Sequence, residues 1–255
     1  MQIATWNVNS LKVRLNHLLD WLETNPVDVI GLQETKSTDD KFPVAEIEAA
    51  GYHVAFAGQK TYNGVAVLSK HSITEVVTDF AGIEDPMRRV LGCTINGVRI
   101  YNLYFPNGQA LDSDKFHYKM NWLEALHAQL ESESSDYDKR IVMGDFNIAP
   151  SDEDVHAPEE WAGKIHCSAL ERTHIARLKE KGFVDCFRQF EQEPNLFSWW
   201  DYRAGSFRKN NGLRIDLIMA SEELAKNCQK CWIDKAPRKL EKPSDHTPVV
   251  AEFKV

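Results

Sequence analysis

Two hydrophobic periods alternate along this chain. Apolar residues at every second position, or short unbroken apolar runs, mark strands in MQIATWNVNS at the start, VDVIGLQET (27–35), RIVM (140–143), RIDLIMAS (214–221) and SDHTPVVAEF (244–253). RRVLGCTINGVRIYNLYF, residues 88–105, predicts two strands around an Asn96-Gly97 turn, because both turn residues tolerate the positive φ of a tight hairpin. The helical period appears between these runs. Leu11, Leu15, Leu18, Leu19 and Leu22 form one stripe of a helix from Leu11 to Thr24 that Ser10 is placed to cap. Phe116, Met120, Leu123, Leu126, His127 and Leu130 do the same from about Ser113 to Glu131, and a third helix is expected from about Ser168 to Lys181. Hairpins mixed with long helices argue against a doubly wound parallel sheet. They favour an α/β chain of two antiparallel sheets packed face to face with helices outside.

The predicted strands share a second property: they end in polar residues. RIVM runs into GDFNIAPSDED, where Gly144 is expected to turn the chain and Asp145 and Asn147, two apart, to face one way and hold a water between carboxylate and amide. An Asx-turn, with the same side chains satisfying nearby backbone, is the alternative. The first strand delivers Asn7 and Asn9, the second ends in Glu34, RIDLIMAS carries Asp216, and Asp245 and His246 precede the last strand. Such ends gathered at one sheet edge would make an acidic, amide-rich cleft. Asp216 lies between Ile215 and Leu217, so a buried carboxylate there needs a partner, and His246 is the candidate.

Composition narrows the class. The 255 residues are 43% hydrophobic, enough for a sizeable core in one domain spanning 1–255. No apolar run approaches a membrane span and the chain enters a strand without a cleavable leader, so a cytoplasmic protein without membrane contact is expected. Cys93, Cys167, Cys186, Cys228 and Cys231 are odd in number and irregular in spacing, unlike a secreted disulfide framework, and the lone C-x-x-C lacks a second pair for zinc. Net charge is −8, which argues against a uniformly basic nucleic-acid binder. Two local basic stretches run the other way: Arg203, Arg208, Lys209 and Arg214, interleaved with Trp199, Trp200, Tyr202 and Phe207, and Lys235, Arg238, Lys239 and Lys242. Cations beside aromatics suit a backbone and its bases, while solvated loops are the plainer reading.

WNVNSLKVR (6–14), LQETK (32–36), YFPNG (104–108), GDFNIAP, GLRIDLIMAS and SDHTPV occur in the order and spacing of the exonuclease III family, and this resemblance spans the whole chain. It implies the four-layered α/β sandwich of the endonuclease/exonuclease/phosphatase superfamily, which is deoxyribonuclease I-like, and metal-assisted phosphoester hydrolysis. FHYKMNWLEALHAQL, CSALER and RIDLIMAS resemble the branch acting on DNA. By this resemblance Glu34 is the principal ligand of magnesium, which manganese could replace, with Asn9 and Asp245 contributing outside it. Asp145 would orient or deprotonate the attacking water and Asn147 position it. His246, oriented by Asp216, would contact the scissile phosphate, and Asn7, Tyr104 and Asn107 its oxygens. The reaction implied is in-line displacement without a covalent intermediate.

The resemblance also implies the substrate: double-stranded DNA with abasic sites, nicks or blocked 3′ ends, handled by a monomer through 3′-end processing, 3′–5′ exonuclease action or incision 5′ to abasic sites. Trp199, Leu213 and Ile215 match positions lining the pocket for a flipped abasic sugar, and Arg203 falls in the stretch expected to meet the DNA. Two positions depart from the pattern. Leu213 replaces a larger aromatic of some relatives. His166 stands where some carry glycine, so a bulky, chargeable side chain is expected to hinder an internal flipped nucleotide more than a 3′ terminus. Superfamily phosphatases and lipid phosphodiesterases are the rival reading, and a DNA-binding module without catalysis a third.

Overall fold

The computed structural model describes residues 1–83 and 85–254. Among them, two sheets of six strands each form the centre. The first has the order β11 (Cys228–Ile233), β12 (Val249–Phe253), β1 (Gln2–Asn7), β2 (Val29–Gln33), β4 (Val65–Ser69), β3 (His53–Ala57). The second runs β5 (Thr74–Val77), β6 (Val90–Ile95), β7 (Val98–Tyr104), β8 (Arg140–Asp145), β10 (Asp216–Ser221), β9 (Phe183–Asp185). Among the described residues only β1–β2 and β7–β8 pair in parallel, so each sheet is mixed and largely antiparallel.

Ile3, Val29, Val67, Leu91, Ile100, Ile141 and Ile218 fill the space between the sheets. The outer face of the first sheet is covered by α1 (Leu11–Thr24) and α2 (Val44–Ala49), through Trp6, Leu18, Leu22 and Ile47. The second is covered by α3 (Asp114–Ser132) and, beyond the short α4 (Pro158–Trp161), by α5 (Ala169–Glu180), through Leu123, Leu126, Ile175 and Leu178. Four layers result. Burial on both faces explains why β2 and β4 read as unbroken apolar runs and not as alternation. Each fully buried leucine of the stripes contributes about 1.5–3 kcal/mol.

Local signals placed most boundaries, with two exceptions. Ser113 accepts from the Phe116 amide, Ser168 and Glu171 form a capping box, and Asn96 and Gly97 turn with φ of 49° and 76°. Ser10 makes no side-chain cap: with φ at 88° its backbone N–H donates instead to the Glu34 carbonyl, 2.7 Å away. Gly144 is not a turn but part of β8, with φ 139°, and a Cβ there would lie 1.9 Å from the Leu103 carbonyl oxygen. Close approach to β7 is what requires glycine.

Register brings the polar ends together. Tyr104 pairs with Asp145 and Asp145 with Asp216 in one sheet, while Asn7 pairs with Gln33 in the other, so all five strands reach the same edge. Beneath it Gln33 Nε2 donates to Thr5 Oγ1 at 2.8 Å and Asn102 Oδ1 at 2.5 Å, a polar knot that locks one sheet against the other.

Candidate active site

Asp145 and Asp216 stand directly opposite on antiparallel strands, an arrangement that repels like charges. His246, carried in by the loop before β12, relieves it. Its Nδ1 lies 2.9 and 3.1 Å from the Asp216 oxygens and its Nε2 3.7 Å from Asp145 Oδ2. Burial alone would lower the imidazole pKa, but Asp216 and Asp145 push it up to about 10, so the ring is a cation. Burial raises Asp145 to about 7; the cationic His246 opposes the rise, and Asp216 adds to it.

The Asx-turn and the catalytic geometry coexist at Asp145. Its Oδ1 accepts from the Asn147 backbone N–H at 2.9 Å, and Asn147 takes φ 49°, so the two side chains are not brought together by extended backbone as the two-residue spacing suggests. Oδ2 faces the cleft, accepting from Asn7 Nδ2 at 2.9 Å. Asn7 Nδ2 also donates to Glu34 Oε1 at 2.9 Å, joining both carboxylates through one amide. The Tyr104 phenol is raised well above its usual pKa by burial and by Glu34 and Asp145, so it remains a protonated donor beside them.

Glu34, Asp145 and His246 each offer a ligand atom, and these lie within 4.8 Å of one another. Of the two carboxylates expected at the metal, Glu34 belongs to this group and Asp245 does not. Asp245 has both oxygens engaged, by Asn9 Nδ2 at 2.9 Å and Trp199 Nε1 at 3.0 Å. Lys36 gives a test of fit for a hard cation: its ammonium sits 3.0 Å from Glu34 Oε2 and 2.5 Å from Asn9 Oδ1, so carboxylate and amide oxygens already converge on a positive charge.

The expected substrate contacts divide into two sets. Asn107 Nδ2 donates to Asn147 Oδ1 at 3.2 Å and lies 3.5 Å from His166 Nε2, which puts both residues at the rim of the site. His166 is no solvated loop residue. It is 7% exposed, its Nδ1 lies 2.7 Å from the Asn147 carbonyl, and φ 71° places it in the region that favours glycine. Burial, with Lys119 nearby, lowers its pKa to about 4, so the expected chargeable side chain is neutral. Trp199 is half-buried between His166 and His246, with ring centroids 6.4 and 6.5 Å away. Leu213 and Ile215 lie behind it, 0% and 2% exposed among Ala149, Val155 and Cys167. They back the wall of the cleft and do not form its surface.

Three arginines of the basic stretches are engaged within the protein, while Arg208, Lys209, Lys239 and Lys242 stay exposed. Arg214 is fully buried between Asp154 and Asp185; Arg238 is buried against Trp200, Tyr202 and Phe207; Arg203 turns back onto Asp201 at 2.8 Å. The five cysteines are free and buried.

Sequence reading missed Lys119 and Glu171. The fully buried Lys119 ammonium donates to Glu171 Oε1 at 2.6 Å, the Asn147 carbonyl at 2.8 Å and the Asn107 carbonyl at 3.3 Å, and Glu171 Oε1 accepts from the His166 N–H at 3.1 Å. One ion pair thus ties the three segments that carry Asn107, Asn147 and His166. The signal was present: Lys119 falls on the apolar face of its helix, three residues from Phe116, where a cation needs a buried partner. Trp161, 6.3 Å from the His166 ring, was also missed.

Residues 4–246 match the Endonuclease/Exonuclease/phosphatase family. The chain is 38% identical to the exodeoxyribonuclease III of Haemophilus influenzae over the whole of both chains, and 33% identical to an exodeoxyribonuclease of Bacillus subtilis over 98% of each. It belongs to the exonuclease III family. Its fold matches a 3′ phosphatase from Neisseria, NExo, solved with a product DNA hairpin, at TM-score 0.98 and 44% identity over both full chains. An AP endonuclease from Archaeoglobus fulgidus follows the same path at TM-score 0.95 and 37% identity, again over both full chains.

Proposed function

We propose that this protein is a magnesium-dependent DNA phosphodiesterase of base excision repair that cleans 3′ ends in preference to incising internal abasic sites. The observation that carries the chemistry is the cleft-facing Asp145 Oδ2, held by Asn7 and 3.7 Å from a cationic His246. Asp145, near pKa 7, can take the proton of an attacking water whose position Asn147 fixes. His246, kept charged by Asp216, binds the scissile phosphate and meets the charge that develops on it, and Asn7 and Tyr104 donate to its oxygens. Glu34, with Asn9 and Asp145 beside it, would hold magnesium, which supplies Lewis-acid stabilisation of the phosphoryl oxygens. Manganese can serve the same oxygens.

The preference for 3′ ends rests on His166. An immobile neutral imidazole beside Asn107, between Trp161 and Trp199, takes space that glycine would leave to an internal flipped nucleotide. A terminal 3′ phosphate needs no such space. Hydrolysis of a 3′-phosphate nick and of an internal abasic duplex, each with magnesium or chelator, tests both parts. His166→Gly is expected to raise incision at least tenfold and leave 3′-phosphate removal within a few fold; equal changes in both rates would remove the gate. Glu34→Gln should lose most turnover and also weaken magnesium binding by calorimetry. Sphingomyelin and inositol phosphates, the substrates of the rival reading, should not be cleaved.

A further inference from the structure

We infer that Lys119 and Glu171 are positioning residues that set the choice of substrate through His166, an inference that rests on the proposed preference for 3′ ends. Neither side chain reaches the cleft, since both are 0% exposed. Together they leave His166 little freedom. Its N–H donates to Glu171 Oε1 at 3.1 Å, its carbonyl accepts from the Ala149 N–H at 2.8 Å, and its Nδ1 lies 2.7 Å from the Asn147 carbonyl. That carbonyl is itself held by the Lys119 ammonium at 2.8 Å. A carbonyl only accepts, so Nδ1 carries the proton of the neutral ring, and Nε2 turns its lone pair toward Asn107 Nδ2, 3.5 Å away.

Local structure does not hold this arrangement. Asn147 and His166 have φ of 49° and 71°, a region that side chains other than glycine enter only when their surroundings impose it. The imposition comes from α3 and α5. Lys119 grips the Asn107 and Asn147 carbonyls, while Glu171 takes the His166 N–H on Oε1 and the Ser168 N–H and hydroxyl on Oε2. Gly108 closes on the lysine stem, where a Cβ would lie 3.2 Å from Lys119 Cδ. Charge here supplies directed hydrogen bonds to backbone groups that an apolar pair of similar volume could not make. Without them the imidazole could swing away from Asn107 and Trp199 and free the space that an internal flipped nucleotide needs.

The pair is removed as a unit, Lys119→Met with Glu171→Gln, so that no buried charge is left alone, and thermal melting checks the fold. Rates are then measured on a 3′-phosphate nick and on an internal abasic duplex. Losing the support of Asn147 should lower kcat on both, an effect that cancels from their ratio. The ratio of incision to 3′-phosphate removal should rise roughly fivefold or more as His166 loosens. In a His166→Gly background the same double substitution should change the ratio by less than about twofold, because the group it acts through is gone. Glu171→Gln alone leaves Lys119 free to shed its proton and remain a donor, so it should give a smaller rise in the same direction, and it carries the test where the pair variant does not fold. An unchanged or falling ratio with His166 present overturns the inference, as does an equal rise in both backgrounds, which would mean general loosening. Failure of the underlying reading shows separately, as an unchanged ratio for His166→Gly by itself.

Discussion

Arg214 and Asp216 stand two residues apart at the entrance to β10, both buried, yet they belong to clusters of opposite electrostatic character. Arg214 joins Asp154 and Asp185, with Arg188 also on Asp154 at 2.5 Å, so two guanidinium groups meet two carboxylates. Although burial opposes it, those arginines hold Asp154 below the ordinary carboxylate range. Asp216 joins Asp145 and His246, with Glu34 nearby, where carboxylates outnumber the one imidazolium. Asp145 therefore rises to about 7 while Asp154 falls. Burial is common to both clusters, so the balance of charge, not depth, separates a structural ion network from a reactive one.

The comparison breaks most sharply at Asp145. Asp145→Asn should reduce single-turnover hydrolysis more than about 10,000-fold, beyond ordinary general-base loss because water orientation fails too, while DNA binding persists. Collapse of binding together with turnover would make Asp145 a structural residue like Asp154. The next effect runs the other way. Arg214→Met leaves Asp154 and Asp185 short of a partner and should cost about 3–5 kcal/mol in urea unfolding, with turnover per folded molecule within a few fold. An activity loss larger than the stability loss would place Arg214 in the chemistry.

A third cluster sharpens the rule with the sign reversed. His127 and His174 stack with centroids 5.3 Å apart on α3 and α5, facing Arg177 and Lys181 as well as Glu124. Burial, then Arg177 and His174, lower the His127 pKa to about 4, and both its ring nitrogens lack hydrogen bonds among the described residues. The unfolded chain takes up a proton near pH 6.5 that the folded one refuses until about 4, so stability falls as pH drops through that window. The expected loss is about 2 kcal/mol by pH 4 after solvent screening. His127→Leu should flatten this limb of the unfolding curve; an unchanged limb would assign it to other groups.

Legibility followed the range of the interaction. The Asn96-Gly97 turn and the caps at Ser113 and Ser168 act within a few residues, and the sequence shows them directly. Even local rules failed where another strand intruded, as at Ser10, drawn to the Glu34 carbonyl, and Gly144, pressed against β7. The site residues were legible because each ends a strand; the side on which they meet was not, since it depends on which strands pair. Which cations of a basic stretch stay at the surface was illegible for the same reason, as one run of sequence sent Arg214 inward to Asp154 and Asp185, Arg203 outward to Asp201, and left Arg208 and Lys209 exposed.

What the chain determines by itself is periodicity, turn chemistry and the chemical types available at strand ends, because these depend on backbone geometry over a few residues and on which side chains leave water. Tertiary structure alone decided that Lys119 should reach Glu171 across 52 positions, that His166 should be neutral and wedged beside Asn107, and that four dispersed lysines should line one groove. Each of these depends on a partner, a desolvation or a field supplied by another element, and such quantities exist only once the two sheets have closed on each other.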